Sequence, residues 1–518
     1  MAGLPRLITL MRSSRFFQYE TEEGELHATV RNTSDTIISE NNFTLFEVKS
    51  SKVHQGMVHI ISLYNNRYLR LNPTGAFISA TADELEEDRA ERSCTLFRFV
   101  ISGNKVRFFH QSDNVERNVV VYQGGILGVQ AGINITYNLE FTDMTNFVIL
   151  PKHVMFKGDD GNYLRARKNK NLAFVANDPT DPRVHHIARL SSPRVARFSL
   201  LSPRFNLYWQ RMNGDWLQCN SSVPFATNTT FRPVRQGFGD QNRSIALLNT
   251  TNNRYCERWT QGGSAGRLRA SSSGIVRTAL LTVEEAIRDR EISDIRYRLE
   301  DARIYNMIPL ESRSQIVYNY GDNEEIQKVS FTYSEVIEEK FSSSHSWKLS
   351  AKATIRVRLI PVILQGKLTT TASYGGSVEW SQKKTIERTV TGSTTATVPA
   401  RKARRVTLIV GQGFMDVPYS YRQRDILMDG TFEEKTMHDG LFSGLNTFEL
   451  QYILGEAEDL PRSARPPIGH GDIVIVPGET KVLSTMAISR EVDVEGKEDP
   501  ELAPMEDQQD PLPRPSKL

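Results

Sequence analysis

Short apolar clusters recur through the first half of the chain at Leu7-Ile8, Val58-His-Ile60, Val106-Arg-Phe108, Val154-Met-Phe156, Phe198-Ser-Leu200 and Ile245-Ala-Leu247. Counted from Ile8, their first apolar residues lie 50, 48, 48, 44 and 47 positions apart. A steady period of this size is the mark of repeated supersecondary units. Three units share more: Leu63-Tyr-Asn-Asn-Arg-Tyr-Leu-Arg70, Phe156-Lys-Gly-Asp-Asp-Gly-Asn-Tyr-Leu-Arg165 and Leu248-Asn-Thr-Thr-Asn-Asn-Arg-Tyr-Cys-Glu257. Each runs from a strand through an Asn/Asp/Gly turn and returns a tyrosine to the core. Six units of four short strands divide as three plus three. The spacing therefore predicts two tandem β-trefoils, residues 1–150 and 151–281. A propeller also repeats four-stranded units of this length, but its blade signatures are missing and Leu150-Pro151-Lys152 marks a joint at the midpoint.

The pattern then changes. Thr282-Val-Glu-Glu285 has the form of a capping box and opens a charged stretch, which predicts a helical linker over 282–303. Residues 304–489 read as Ser/Thr-rich alternating strands of an elongated β domain. Residues 490–518 hold nine acidic residues and five prolines, the composition of a disordered tail. The fold class is all-β.

The sharpest alternation lies in residues 347–380. Trp347, Leu349, Ala351, Ala353, Ile355, Val357 and Leu359 take every odd position, with Lys348, Ser350, Lys352, Thr354, Arg356 and Arg358 between them. Past Ile360-Pro361-Val362-Ile363 the apolar phase moves to even positions, including Leu364, Leu368, Ala372 and Tyr374. Period-two alternation puts one apolar and one polar face on each strand. A four-residue tip at 360–363 places Leu359 opposite Leu364, Val357 opposite Gly366, Ile355 opposite Leu368 and Arg356 opposite Lys367. A membrane-crossing strand needs about 9–11 residues, and thirteen alternate in the first strand alone. The expected reading is a membrane-inserting hairpin. Leu349, Ala351, Ala353, Ile355, Val357, Leu359, Leu364, Leu368, Ala372 and Tyr374 face lipid. Lys348, Lys352, Arg356, Arg358 and Lys367 face a water-filled lumen, where rings of cations favour anions. Only a closed barrel lets strands cross lipid, so one hairpin per chain implies a homo-oligomer. An amphipathic hairpin packed on an ordinary core is the alternative.

Composition narrows the choice. The 64 Lys plus Arg nearly balance 61 Asp plus Glu, a net charge of +3, which argues against bulk electrostatic binding of nucleic acid. Cys94, Cys219 and Cys256 are scattered and odd in number, suiting neither a disulfide framework nor a zinc site. No metal or cofactor is implied. The first residues lack a sustained apolar run, so no secretory signal is read, and a soluble, cytoplasmic or nucleocytoplasmic protein is expected. The sequons at Asn42, Asn134 and Asn228 are then unglycosylated. No window approaches the roughly 18 apolar residues of a spanning helix. Gly262-Gly-Ser-Ala-Gly266 fits a nucleophile elbow in letters only, since its flanks read as a trefoil loop. Asp159-Asp160 reads as a turn before a calcium site, and Arg401-Lys-Ala-Arg-Arg405 as a solvated strand edge. No catalytic residue is assigned. Trp209 and Trp216 suit either sugar stacking or core packing.

The stretches Gly56-Met-Val-His-Ile60, Cys94-Thr-Leu-Phe97, Leu150 to Leu164, Asp181-Pro-Arg-Val184, Tyr208-Trp209 and Asp215-Trp216 resemble the amaranthin-type plant lectins, built of two β-trefoils. Residues 304–486, with their Ser/Thr-rich flanks, resemble the aerolysin family, whose long strands release a hairpin into a ring-shaped barrel. The resemblances imply a chimeric lectin that binds cell-surface glycans and perforates membranes, in plant defence. They imply a sugar site of galactose or N-acetylgalactosamine type on the loop Asn72-Pro73-Thr74-Gly75-Ala76-Phe77. Asn72, Thr74, Gly75 and Phe77 are its candidates, with Thr-Gly-Ala where the family carries bulkier groups. Partners are then glycans, membrane lipids and further copies of the chain. The rivals are a non-lytic lectin whose third domain mediates assembly, and a glycoside hydrolase with trefoil modules, which needs two positioned carboxylates.

Overall fold

The computed structural model describes residues 3–13, 15–19, 24–28, 42–132, 138–145, 148–192, 197–235, 244–343, 348–349, 353–364, 366–372, 377–379, 383–461 and 489–491. It contains strands and short 3-10 turns, with no α-helix among the described residues. Two compact units divide it, the first being Met1–Ser312, Glu335–Glu387 and Ile409–Leu450, the second Arg313–Ser334, Arg388–Leu408 and Gln451–Leu518.

Within the first unit, one sheet of twelve strands is built on a closed ring of six. Leu7–Arg12 pairs with Phe46–Ser50 and Leu139–Asp143, Met57–Ser62 with Phe46–Ser50 and Phe97–Ser102, and Lys105–Ser112 with Phe97–Ser102 and Leu139–Asp143. The other six strands form three hairpins, Arg15–Tyr19 with Leu26–Ala28, Tyr68–Leu71 with Ile78–Ala82, and Val115–Val121 with Leu127–Gln130. A six-stranded barrel with three hairpins is a β-trefoil.

A second ring repeats it. His153–Lys157, His186–Ser192, Arg197–Ser202, Phe231–Arg235, Ser244–Asn249 and Leu281–Glu285 close a barrel. Its hairpins are Tyr163–Ala166 with Leu172–Ala176, Leu207–Arg211 with Leu217–Ser221, and Arg254–Arg258 with Leu268–Ser272. The six apolar clusters of the sequence each open a barrel strand. Ile8, Ile60, Val106 and Phe108 are buried in the first core, and Val154, Phe156, Phe198, Leu200, Ile245 and Leu247 in the second.

The helix expected over 282–303 is absent. Leu281–Glu285 is the strand that closes the second barrel, with Leu281 and Val283 in its core. Ile287–Tyr297 then pairs with Lys402–Leu427, and Leu299–Asp301 is a 3-10 turn. The capping-box letters of Thr282 and Glu285 lose to a ladder with partners waiting on both sides. Two register shifts, between Ile287 and Asp289 and between Ser293 and Arg296, break the period-two signal of the next strand. With Ile287 and Ile292 as its buried positions, the stretch does not look like a strand in sequence.

Beyond the trefoils the first unit holds a third core. Ile337 and Phe341 from Glu325–Ser343, Met415, Val417, Tyr419 and Tyr421 from Lys402–Leu427, and Met437, Phe442 and Phe448 from Phe432–Asp459 meet there. Glu325–Ser343 pairs with Phe432–Asp459 from Ile337↔Asn446 to Ser343↔Gly440.

In the second unit Val329, Phe331, Tyr333, Val390, Ala396, Val398, Val406, Leu408 and Tyr452 are buried. There Asn319 donates to the Val398 carbonyl at 2.9 Å and to the Asn323 carbonyl at 2.8 Å. Ser489–Glu491 pairs with Thr391–Ser393, so ordered chain reaches two residues into the segment assigned to a disordered tail. An edge of the Lys383–Val398 strand offers the partner. Residues 492–518 lie outside the described residues.

Candidate functional site

The hairpin's turn is displaced from its expected place. Leu359–Leu364 pairs with Lys367–Ala372 in a register running from Leu359↔Ala372 to Leu364↔Lys367. The turn falls between Leu364 and Lys367 and includes Gly366, while Gln365 lies outside the described residues. Gly366 sits at φ +73°, the conformation that two-residue hairpin turns demand. Ile360, Pro361, Val362 and Ile363 are therefore strand, not tip, and all four are buried. Four apolar residues in a water-facing loop gain nothing, whereas here Ile360, Val362 and Ile363 join the third core. Asn446 holds them in place: its Oδ1 accepts from the Ile363 N–H and its Nδ2 donates to the Ile363 carbonyl, both at 2.8 Å. The Tyr297 hydroxyl donates to the Leu359 carbonyl at 2.9 Å.

The rest of the register moves with the turn. Ile355 faces Val378 and Arg356 faces Ser377, so the expected pairs Ile355–Leu368, Arg356–Lys367 and Leu359–Leu364 do not form. Of the expected lipid face, Ile355 and Val357 are buried in the third core and Leu368 packs against it. Leu359 is 50% exposed and Leu364 38%, and Ala372 is exposed. Ala353 pairs with Arg290 and Leu349 with Glu285 through their backbones. Ala351, Tyr374 and Lys352 lie outside the described residues. Of the expected lumen residues, Lys348 pairs with Glu284 and Arg356 with Ser377 along the ladders, while Arg358 and Lys367 are exposed.

One acidic side chain shares the hairpin's core. Glu339 lies between Ile337 and Phe341 on one strand face, and both its carboxyl oxygens are buried with no hydrogen-bond partner. Burial raises its pKa, against the opposing pull of Lys384.

The expected sugar loop caps the first trefoil's hairpins. The Asn72 N–H donates to the Phe77 carbonyl at 2.8 Å. Arg92, far off in sequence, clamps the loop from below: Nε donates to the Pro73 carbonyl at 2.8 Å and Nη2 to the Gly75 carbonyl at 2.7 Å. Thr74 is exposed; Asn72, Gly75 and Phe77 are half-buried. The Phe77 ring meets Tyr122 edge-on at 5.4 Å, and the Tyr122 hydroxyl donates to the Val129 carbonyl at 2.8 Å. The sequence reading missed Arg92 and Tyr122. Aligning the three hairpins by their turns would have exposed Tyr122; nothing in the spacing marks Arg92.

The two tryptophans separate cleanly. Trp209 is 0% exposed, enclosed by Phe156 and Phe231 with its Nε1 donating to His186 Nδ1 at 3.2 Å. It packs the second core and is unable to stack on a sugar. Trp216 is half-buried at the cap of the second trefoil, edge-on to Trp259 at 6.1 Å. The Arg267 guanidinium lies 4.2 Å from the Trp216 ring centre, and that of Arg269 lies 4.7 Å from Trp259 and 5.2 Å from Trp216. Each such cation–π contact contributes about 0.5–1 kcal/mol at an exposed site.

The remaining motifs have structural explanations. Gly262–Ser264 is a 3-10 turn inside the third hairpin of the second trefoil. Asp159 takes a bidentate bond from Arg258 at 2.7 and 3.0 Å, so the Asp-Asp turn serves an ion pair. Arg401 and Lys402 pair with Asp322 and Asp459 in the second unit. Cys94, Cys219 and Cys256 are buried free thiols. Among the described residues no group of metal-binding side chains gathers, and no helix is long and apolar enough to cross a membrane.

Residues 2–115 match the family model of the Agglutinin domain. Residues 290–431 match the family model of the Aerolysin toxin. The chain joins a lectin-type part to an aerolysin-type part. No curated protein matches it. Among solved structures, a designed three-fold symmetric protein, ThreeFoil, aligns at 10% identity over 26% of this chain and 98% of its own, with a TM-score of 0.22. A lamprey immune protein aligns at 13% identity over 68% of this chain and 87% of its own, with a TM-score of 0.25. A mosquitocidal holotoxin aligns at 11% identity over 55% of this chain and 35% of its own, also at 0.25.

Proposed function

We propose that the protein is a non-catalytic defence lectin that captures cell-surface glycans, assembles into a homo-oligomer and inserts its 347–380 hairpin into the target membrane. The first cap binds a galactose-type sugar on the loop Asn72–Phe77. The observation that carries the reading is the hairpin itself. It combines Arg and Ser/Thr at one parity with apolar residues at the other, and of the latter it buries Ile355, Val357 and Ile363 in the third core. The same parity serves an inserted barrel. Ile355 with Val378, Leu359 with Ala372, and Ile363 with Leu368 share one face, and Arg356, Arg358 and Lys367 fall on the other. Near the turn Ile360, Val362 and Leu364 make the second face apolar too, which suits the end that must cross lipid first. Glu379, opposite Thr354, joins the lumen parity and dilutes its positive charge.

A lock tests it. Glu291 and Thr354 are neighbours across parallel strands, so Glu291→Cys with Thr354→Cys ties the hairpin down when oxidised, and the buried native thiols stay out of the exchange. The wild type should release dye from vesicles carrying galactose-terminated glycolipid. The oxidised double variant should not, and reductant should restore release. Release by the locked form would show that another segment inserts. A wild type that binds without releasing dye is a non-lytic lectin. Pores in planar bilayers should favour anions modestly, more in dilute salt.

A further inference from the structure

We infer that the cap of the second trefoil is a binding site for an acidic saccharide, one bearing sulfate or carboxylate groups. The inference does not rest on membrane insertion or on the sugar loop of the first trefoil. Five cations converge on this end of the barrel. Arg267 and Arg269 lie along the Trp216–Trp259 pair. Arg167, Lys168 and Lys170 occupy an exposed turn closed by the Arg167 N–H to the Asn171 carbonyl at 2.8 Å. That turn adjoins the pair. Asn171 bridges to Gln218, its Oδ1 accepts from Arg267 Nη2 at 3.1 Å, and the charge of Arg167 is felt at Arg267.

None of the five is in an ion pair among the described residues, unlike the neighbouring Arg165, Arg183, Arg211 and Arg258, which all bind carboxylates. Carboxylates on the second and third hairpins of this trefoil are already engaged. Asp215 accepts from Arg211 and Asn252, and Glu257 from Ser271 and Thr278. Arg269 gives one hydrogen bond to the Gly214 carbonyl at 2.9 Å and Arg267 one to Asn171. Their remaining side-chain N–H groups have no protein acceptor among the described residues, and Arg267 Nε is buried unbonded.

Like charge gathered without carboxylate partners repels itself. It is relieved by an anion. The tryptophan rings decide which anion. Trp216 and Trp259 hold the guanidiniums over their rings and are themselves only half-buried, offering apolar contact to a sugar ring. Arginine forks match sulfate and carboxylate oxygens in pairs. A repeating acidic polysaccharide supplies both.

Binding of the full chain to immobilised heparin, dextran sulfate and neutral dextran tests the assignment. The wild type should bind the two sulfated polymers and ignore dextran. Arg267→Gln with Arg269→Gln should weaken heparin binding at least tenfold. Lys168→Gln with Lys170→Gln, on an exposed turn that leaves folding alone, should weaken it several-fold and flatten its salt dependence. Trp259→Ala should weaken it with the salt dependence unchanged. Arg401→Gln with Lys402→Gln, whose charges are already paired, should change nothing. Equal loss in that control, or an unaffected Arg267/Arg269 variant, overturns the site. Phosphatidylserine vesicles bound through Arg267 and Arg269, with heparin unbound, would reassign it to a lipid headgroup and overturn the saccharide. Phe77→Ala should leave heparin binding intact, which keeps this outcome separate from that of the first cap.

Discussion

The two trefoil caps occupy one frame and differ in chemistry. Each is ringed by three bridges between hairpins: Glu25↔Ser79, His27↔Ile126 and Phe77↔Gly128 in the first, Asn171↔Gln218, Ala173↔Arg267 and Trp216↔Arg269 in the second. Phe77 and Trp216 stand at the same place, as do Tyr122 and Trp259. Both pairs meet edge-on, at 89° and 83°. The remaining positions diverge. Ile126 and Gly128 in the first cap become Arg267 and Arg269 in the second, and the buried carboxylate Glu25 becomes Asn171. A barrel with three hairpins fixes where ring-bearing residues sit and leaves their surroundings free, so one frame presents a neutral cap and a cationic one.

The sharpest way to separate core from cap is within the second trefoil. Trp209→Ala leaves a large cavity among Phe156, His186 and Phe231 and should destabilise the domain by about 3–5 kcal/mol. Trp216→Ala removes a half-exposed ring and its stacked guanidiniums, and should cost about 1 kcal/mol. Calorimetric melting of the two variants checks the order. Equal losses would mean that the cap is structural and not a surface for ligands.

Exchanging residues between the caps comes next in size, and the exchange is not symmetric. A Cβ on Gly128 meets the Ala76 carbonyl and the Tyr122 ring, each at 2.6 Å. That carbonyl is already accepting from the Val129 N–H at 2.7 Å, so backbone must move. Gly128→Arg should destabilise the first trefoil by about 1–3 kcal/mol. Arg269→Gly in the second cap meets no clash and loses only its ring contacts and the bond to the Gly214 carbonyl, so it should cost about 1 kcal/mol. Both are read by melting temperature; a stable Gly128→Arg would show that the neutral cap is a choice of sequence and not of space.

Legibility in the sequence followed the length of the pattern. Six clusters at a regular period, from Ile8 to Ile245, overdetermine a repeating frame, and all six proved to be barrel strands. The 347–380 alternation was equally visible, yet its turn was displaced. Apolar residues at 360–363 looked like a tip bound for lipid because the sequence does not show that Asn446 and the third core await them. Gly366 carried the correct signal, a glycine at the only position with positive φ in the hairpin among the described residues. The linker at 282–303 failed for a related reason. A capping box is a local preference of about 1 kcal/mol, easily outweighed when Leu281 and Val283 have a barrel to complete. Trp209 and Trp216, seven residues apart, were indistinguishable by type; one lies in a barrel-facing strand and the other at a hairpin bend.

The smallest effect belongs to the ring on which the first cap depends. Phe77 is half-buried, its backbone carbonyl holds the Asn72 N–H, and its ring touches Tyr122 only edge-on. Phe77→Ala keeps the backbone bond, and Arg92 keeps its grip on the Pro73 and Gly75 carbonyls, so the loop should hold its shape and the domain its melting temperature. What disappears is one aromatic contact, worth about 0.5–1.5 kcal/mol, which at about 1.4 kcal/mol per factor of ten is a loss of roughly 2- to 12-fold in affinity. Titration of a galactose-terminated ligand into the full chain measures it. Tyr122→Phe is the companion, removing only the hydroxyl that donates to the Val129 carbonyl; affinity should stay within about twofold if the ring, not the hydroxyl, meets the sugar. Unchanged affinity in Phe77→Ala would remove the neutral sugar from the first cap, and the two caps would then differ in having a ligand at all.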